Sequence, residues 1–169
     1  ASSPLILIPP GWTYTHFLAS PNGYPFMVHY VNLDFDREAK GRAPRVAVVA
    51  WDNAWGHGAI PPLKDQARKE NVEIVGDIEW VPYGTSDTTV QLLRIKESNP
   101  DYVFMIFVPA VMSIILKDAT RLNMREGIQY VGDFSWDWDI TNLAGEAAEG
   151  CLGTCPYALP SETEVPAIK

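Results

Sequence analysis

The segment Arg45–Trp51 reads RVAVVAW and carries no polar side chain from Val46 onward. Successive side chains of a strand point to opposite faces, so an unbroken apolar run leaves neither face for water. Such a strand belongs inside a parallel sheet that is covered on both sides. The apolar run returns at Tyr102–Val108 (YVFMIFV), and further strands are read at Val72–Val81 (VEIVGDIEWV), Ile128–Asp133 (IQYVGD) and Cys151–Cys155 (CLGTC).

Helical patterns lie between these runs. Gly58–Glu70 has Ile60, Leu63 and Ala67 at helical spacing, with Pro61 and Pro62 expected in its first turn. Asp87 reads as the N-cap of TTVQLLRIKE, which Asn99-Pro100 stops. Val111, Ile114, Ile115, Ala119 and Leu122 form an apolar stripe suited to a sheet face. Thr141–Glu149 predicts a short helix ended by Gly150. Strands alternating with amphipathic helices imply an α/β fold: a doubly wound, mainly parallel five-stranded sheet with helices on both faces.

The flanks differ from this core. Residues 1–44 hold LILI, an aromatic loop PPGWTYTHF, and PFMVHYV, which reads as a second strand. The tail after Tyr157 (ALPSETEVPAIK) reads as a linker. Neither flank completes a βα unit, so the chain reads as cut from something larger.

Composition narrows the function. The 169 residues are 47% hydrophobic and 20% charged, the balance of one soluble domain. A net charge of −8 without a Lys/Arg cluster argues against nucleic acid, anionic membrane and phosphate-rich partners. The longest apolar run, Tyr102–Leu116, contains Pro109 and is shorter than the roughly 20 residues a membrane span needs. ASSPLILIPP lacks the basic region of a signal peptide, as a mature secreted chain also would. Cys151 and Cys155, placed on one strand, would lie about 13 Å apart, beyond the ~7 Å limit for a disulfide. Free, mostly buried thiols are expected.

Ligands of open parallel α/β sheets sit beyond the carboxyl ends of the strands. There the sequence offers Asp52-Asn53-Ala54-Trp55-Gly56, Phe107-Val108-Pro109 and Phe134-Ser135-Trp136-Asp137-Trp138, with Gly11-Trp12-Thr13-Tyr14 from the early loop. Clustered loop-tip aromatics mark a contact surface, though any single Trp can instead pack on its own helix or strand. Asp52 and Asp137 could anchor an ammonium group or be ordinary turn acids.

Catalytic signatures are missing. WGHG is neither a GxGxxG nor a GxxxxGK[ST] pattern, and no GxSxG elbow occurs. His16, His29 and His57 lack zinc-ligand spacing. No cofactor, metal or enzymatic activity is expected.

Several short motifs together resemble one family. They are Trp55-Gly56-His57-Gly58 at a helix start, Asp87 before the next helix, NPDYV at Asn99–Val103, the GD step after the fourth strand, and AGEAAEGCLGT at Ala144–Thr154. In this order and spacing they resemble the second lobe of type I extracellular solute-binding proteins, the leucine/isoleucine/valine-binding group of ABC importers. The resemblance covers roughly residues 1–158.

It implies two α/β lobes closing on a small ligand by hinge motion. Residues 1–44 would be a remnant of the first lobe with its hinge crossover, 45–158 the second lobe and 159–169 a tail. Gly11 and Thr13, with Trp12 beside them, would meet the ligand from the first lobe. Trp55 would pack on it from the second, with Phe107, Val108, Phe134 and Trp136 as further contacts, and the loop reading adds Asp52. Phe134 falls where the family often has an acid, and Val108 and Pro109 where it has aromatics. A flatter, more apolar or aromatic ligand would suit these departures.

The implied partners are a small organic ligand and the membrane permease of an importer, in a periplasmic or extracellular setting with a lipid anchor as one option. The alternatives are a ligand-sensing domain of the same fold and a flavodoxin-like enzyme.

Overall fold

The computed structural model describes residues 20–133, 136 and 138–154. Every strand pairing in it is parallel. The sheet is built on β1 (Arg45–Trp51), followed by β4 (Tyr102–Ile106), β5 (Gln129–Gly132) and β6 (Leu152–Gly153). On the other side of β1 lie β2 (Glu73–Ile74), paired with its first half, and β3 (Glu79–Val81), paired with its last. The single strand expected over Val72–Val81 is therefore broken in two. Gly76, at φ +68°, turns the chain between the halves, where a Cβ would sit 3.2 Å from Cβ of Ser98.

Two helical layers cover the sheet. Helices α1 (Ser20–Asp34) and α3 (Ala54–Lys69) lie on one face. Helices α4 (Thr89–Glu97), α5 (Pro109–Arg121) and α6 (Trp138–Ala144) lie on the other. A short α2 (Arg37–Lys40) leads into β1, and a 3-10 turn at Gly145–Ala148 leads towards β6. Strand alternation divides the core in two: Val46, Val48 and Ala50 face α1 and α3, while Ala47 and Val49 face α4 and α5. The fold class read from the sequence is the one observed.

Other local readings change, among them the helix expected over Thr141–Glu149, which is α6 followed by the 3-10 turn. PFMVHYV is helix, not strand: Tyr24, Met27, Val28 and Val31 bury at i, i+3, i+4 and i+7, a helical period that overrides the β-prone composition. Helix α3 starts at Ala54, four residues early, because the Asn53 side chain accepts the Gly56 amide at 2.9 Å and caps it. Pro61 and Pro62 consequently lie inside the helix, where they donate no amide hydrogen bond. Burial of Ile60 and Leu63 holds that turn in place. The buried stripe of α5 is Met112, Ile115, Leu116 and Ala119, with Val111, Ile114 and Leu122 only half-buried. The N-cap of α4 is Thr88, with Asp87 accepting the Thr89 amide from one residue earlier.

Near the end of the described chain, Cys151 carries a free, half-buried thiol just before β6. Burial pushes that thiol up in pKa. Cys155 lies outside the described residues.

Candidate ligand-binding rim

Because all strands are parallel, their carboxyl ends form one rim. At its centre β1 runs into α3 in a tight corner. The Asp52 amide donates to the Val81 carbonyl at 2.9 Å, and the Asn53 amide to the Trp51 carbonyl at 2.8 Å. The first turn of α3 approaches so closely that a Cβ on Gly56 would lie 2.0 Å from the Trp51 carbonyl oxygen. Only glycine fits there, and this close approach brings Trp55 beside Trp51.

The result is a cluster of rings. Trp51 and Trp55 meet edge to face, with centroids 6.3 Å apart and planes at 68°. Tyr83, 87% exposed, stacks on Trp51 at 5.7 Å and 9°. His57 stacks on Trp80 at 3.9 Å, and its Nε2 lies 2.8 Å from Oδ1 of Asp52. Both members of that contact are about half exposed, so it orients the side chains more than it stabilises them. Beneath Trp55 the Tyr24 hydroxyl is sealed from solvent beside Asp133. Burial first, and then the Asp133 charge, pushes the Tyr24 pKa far up, so the phenol stays protonated.

The residues singled out from the sequence fall in different places. Asp52 and Trp55 join the ring cluster. Trp55 sits on the first turn of a helix rather than in a loop. Phe107 is 0% exposed and lies in the core with Met112 and Ile115. Any contact it makes with a ligand is through its backbone. Val108 is half-buried, and its carbonyl accepts the Val111 and Met112 amides at the start of α5. Trp136 lies over Gly132 and Gly153, partly buried. Gly11, Trp12, Thr13, Phe134 and Asp137 lie outside the described residues.

Trp51, Trp80, Tyr83, Tyr24 and Asp133 are not among the residues singled out from the sequence. A signal existed for Tyr83: it follows a strand that runs parallel to β1, so the same rule that selected Asp52 applies to it. Trp51 reads only as the end of an apolar strand, and the last residue of a strand already sits on the rim.

No helix among the described residues is long and apolar enough to cross a membrane. No group of three or more His, Cys, Asp or Glu side chains there could hold a metal ion.

The chain is 26% identical to a Leu/Ile/Val-binding protein of Citrobacter freundii, over 98% of its own length and 45% of the relative's. A Leu/Ile/Val/Thr-binding protein of Salmonella typhimurium is 25% identical over 98% and 46%. The chain thus spans slightly under half the length of the curated relatives it matches.

Among solved structures, a branched-chain amino acid ABC transporter protein from Thermus thermophilus with bound valine superposes with a TM-score of 0.68. It is 26% identical, and the match covers 80% of this chain and 33% of that one. A leucine-binding protein from Thermotoga maritima gives a TM-score of 0.72 at 19% identity, covering 88% and 40%, a likeness of fold. A family model for periplasmic binding proteins matches residues 4–168. The chain belongs to the periplasmic binding protein family.

Proposed function

We propose that this chain supplies one jaw of a solute-binding protein that captures a small, amino-acid-like solute outside the cytoplasmic membrane and delivers it to the permease of an ABC importer. The observation that carries this reading is the aromatic corner of Trp51, Trp55 and Tyr83 at the carboxyl ends of β1 and β3. It stands where open parallel sheets receive ligands, in a chain whose relatives are named for binding Leu, Ile and Val.

Trp55 is the chief contact from this lobe, with Asp52 beside it. Val108, Trp136, Phe134 and the Phe107 backbone complete this side, and Gly11, Trp12 and Thr13 belong to the opposing jaw. Capture is stoichiometric, without turnover. Its driving force is ligand apolar surface covered by the rings, about 25 cal/mol per Å², with a few fixed polar groups setting orientation. A lipid anchor on the full-length form would hold it near the permease, and detergent partitioning of that form tests this part.

Calorimetry on the gene product that carries this chain tests the reading. Saturable one-to-one heat is expected with at least one small zwitterionic solute from a panel that includes valine, leucine and isoleucine. Trp55→Leu is expected to weaken it about tenfold or more, with circular dichroism unchanged. Absence of heat from every solute class overturns the reading.

A further inference from the structure

The carboxyl rim has a particular charge character. The chain has 13 Lys and Arg against 21 Asp and Glu. Among the described residues, each Lys and Arg lies at the start of a strand, in a connection leading into one, or in the second half of a helix. Helix dipoles account for part of this, since cations favour helix carboxyl ends. The segments leaving β1, β3 and β4 at the carboxyl rim (residues 52–57, 82–87 and 107–112) contain no Lys or Arg. Asp52, half exposed there, has the His57 ring as its hydrogen-bond partner.

The rim also has an aromatic corner. Trp51 stands 6.3 Å from Trp55 and 5.7 Å from Tyr83, measured between centroids. A cation is attracted to a ring face within about 6 Å of its centroid, so one group seated over this corner lies in range of more than one ring. The opposing influence is the amino end of α3, whose partial positive charge favours anions. Its Gly56 amide is already taken by the Asn53 side chain and its His57 amide by the Asn53 carbonyl. Aromatic faces around a carboxylate, on segments that carry no lysine or arginine of their own, suit an organic cation; the arginine that reaches one of those segments, Arg121, is paired with Asp87 at the far end of the β3 segment. Such faces suit an alkylated cation best, because its methyl groups prefer ring faces to hydrogen-bond acceptors.

We infer that the solute held at this rim carries a substituted ammonium group, seated on Trp51, Trp55 and Tyr83 with Asp52 as its counter-charge. This rests on the solute-binding reading above and narrows it to zwitterions whose nitrogen is alkylated.

The test uses three probes on the gene product that carries this chain: trimethylglycine, its uncharged-head isostere 3,3-dimethylbutanoate, and valine. Shape and carboxylate are shared by the first two, so only the head-group charge differs. Trimethylglycine is expected to bind about tenfold or more tighter than the isostere. Tyr83→Leu, a surface change that leaves the core intact, and Asp52→Asn are each expected to lower trimethylglycine affinity several-fold and to lower that of the isostere by clearly less, so that the ratio between the two probes narrows. Equal affinity for the two isosteres overturns the inference. So does valine binding that trimethylglycine does not compete with, and in that case the solute-binding reading stands. Failure of all three probes together with every other solute removes the solute-binding reading itself, and this inference with it.

Discussion

Gly153 and Trp136 occupy the same space: a Cβ on Gly153 would lie 1.9 Å from Cγ of the Trp136 indole. Gly132 is paired with Gly153 across β5 and β6, and its Cβ would lie 2.5 Å from Cε3 of the same ring. Two glycines in register thus make a bare platform on which the indole lies flat, bridging the last two strands. Among the described residues strand β6 is only two residues long, and the indole adds a contact that bridges it to β5. Gly153→Ala is expected to displace Trp136 and to cost about 1–3 kcal/mol, the range for overpacking. Urea unfolding followed by tryptophan fluorescence measures both. An unchanged midpoint and emission maximum would contradict the platform.

The two glycines of Trp55-Gly56-His57-Gly58 are not equivalent. Gly56 faces the Trp51 carbonyl oxygen at 2.0 Å from a built Cβ, whereas Gly58 has nothing within 4 Å. Gly56→Ala is expected to push α3 away from β1 and lose about 1–3 kcal/mol. Gly58→Ala, in a helix interior with free space, is expected to gain about 0.5–1 kcal/mol. Opposite signs in paired thermal melts would confirm the distinction, and a matching loss at both positions would refute it.

Sequence made the architecture legible where the physics is periodic. RVAVVAW could only be a strand buried on both faces, and α5 showed its stripe despite a one-residue error in phase. The failures came where a tertiary contact outweighed local preference. PFMVHYV has the composition of a strand, yet Tyr24, Met27, Val28 and Val31 had a sheet face to cover at helical spacing. Pro61-Pro62 announced a first turn, yet the Asn53 cap lay eight residues before Pro61. For the site, single residues such as Asp52 and Trp55 were visible because the rule of strand carboxyl ends is topological. The stack of Tyr83 on Trp51 depends on β3 lying next to β1 in register, a non-local fact with no local signal.

At the opposite rim Asp101 joins three strands. Its carboxylate accepts two hydrogen bonds from the Arg42 guanidinium at 2.6 and 2.7 Å and one from the Arg45 amide at 2.9 Å. Its carbonyl accepts the Gln129 amide at 2.8 Å. Burial alone would raise its pKa, but the Arg42 and Arg45 hydrogen bonds outweigh burial and hold the carboxyl below the usual range. A folded-state value below the unfolded value of about 3.9 adds stability that is present above about pH 4. That stability is lost as pH falls through the lower, folded value. Asp101→Asn is therefore expected to cost roughly 1–2 kcal/mol at pH 7, and the gap to wild type should close on the acid side of pH 4. A gap that stays constant down to pH 2.5 in urea titrations would show that the charge is not involved.

Asp118 on α5 controls the segment that carries Tyr83. Its Oδ2 accepts both the Thr88 amide at 2.7 Å and the Thr88 hydroxyl at 2.8 Å, and both residues are buried. Those bonds fix the end of the Val81–Thr88 connection against α5, while Tyr83 at its start stacks on Trp51. Asp118→Ala leaves two buried donors on Thr88 without their acceptor and is expected to cost about 2–4 kcal/mol. The Thr88 amide should then exchange with solvent much faster in hydrogen-exchange measurements. Arg121 also bonds Asp118 at 2.9 Å, Asp87 at 3.2 Å and the Thr89 hydroxyl at 2.7 Å, but from a half-exposed position, so Arg121→Ala is expected to cost under about 1 kcal/mol. Because the connection ends at Thr88, Asp118→Ala should also loosen the Tyr83–Trp51 stack and change the near-ultraviolet circular dichroism of the rim, an effect that Arg121→Ala, which removes only bonds made from a half-exposed position to Asp118, Asp87 and Thr89, should produce more weakly. If both variants perturb that signal equally, the stack is held by its own ring contact, and the anchoring role assigned to Asp118 is wrong.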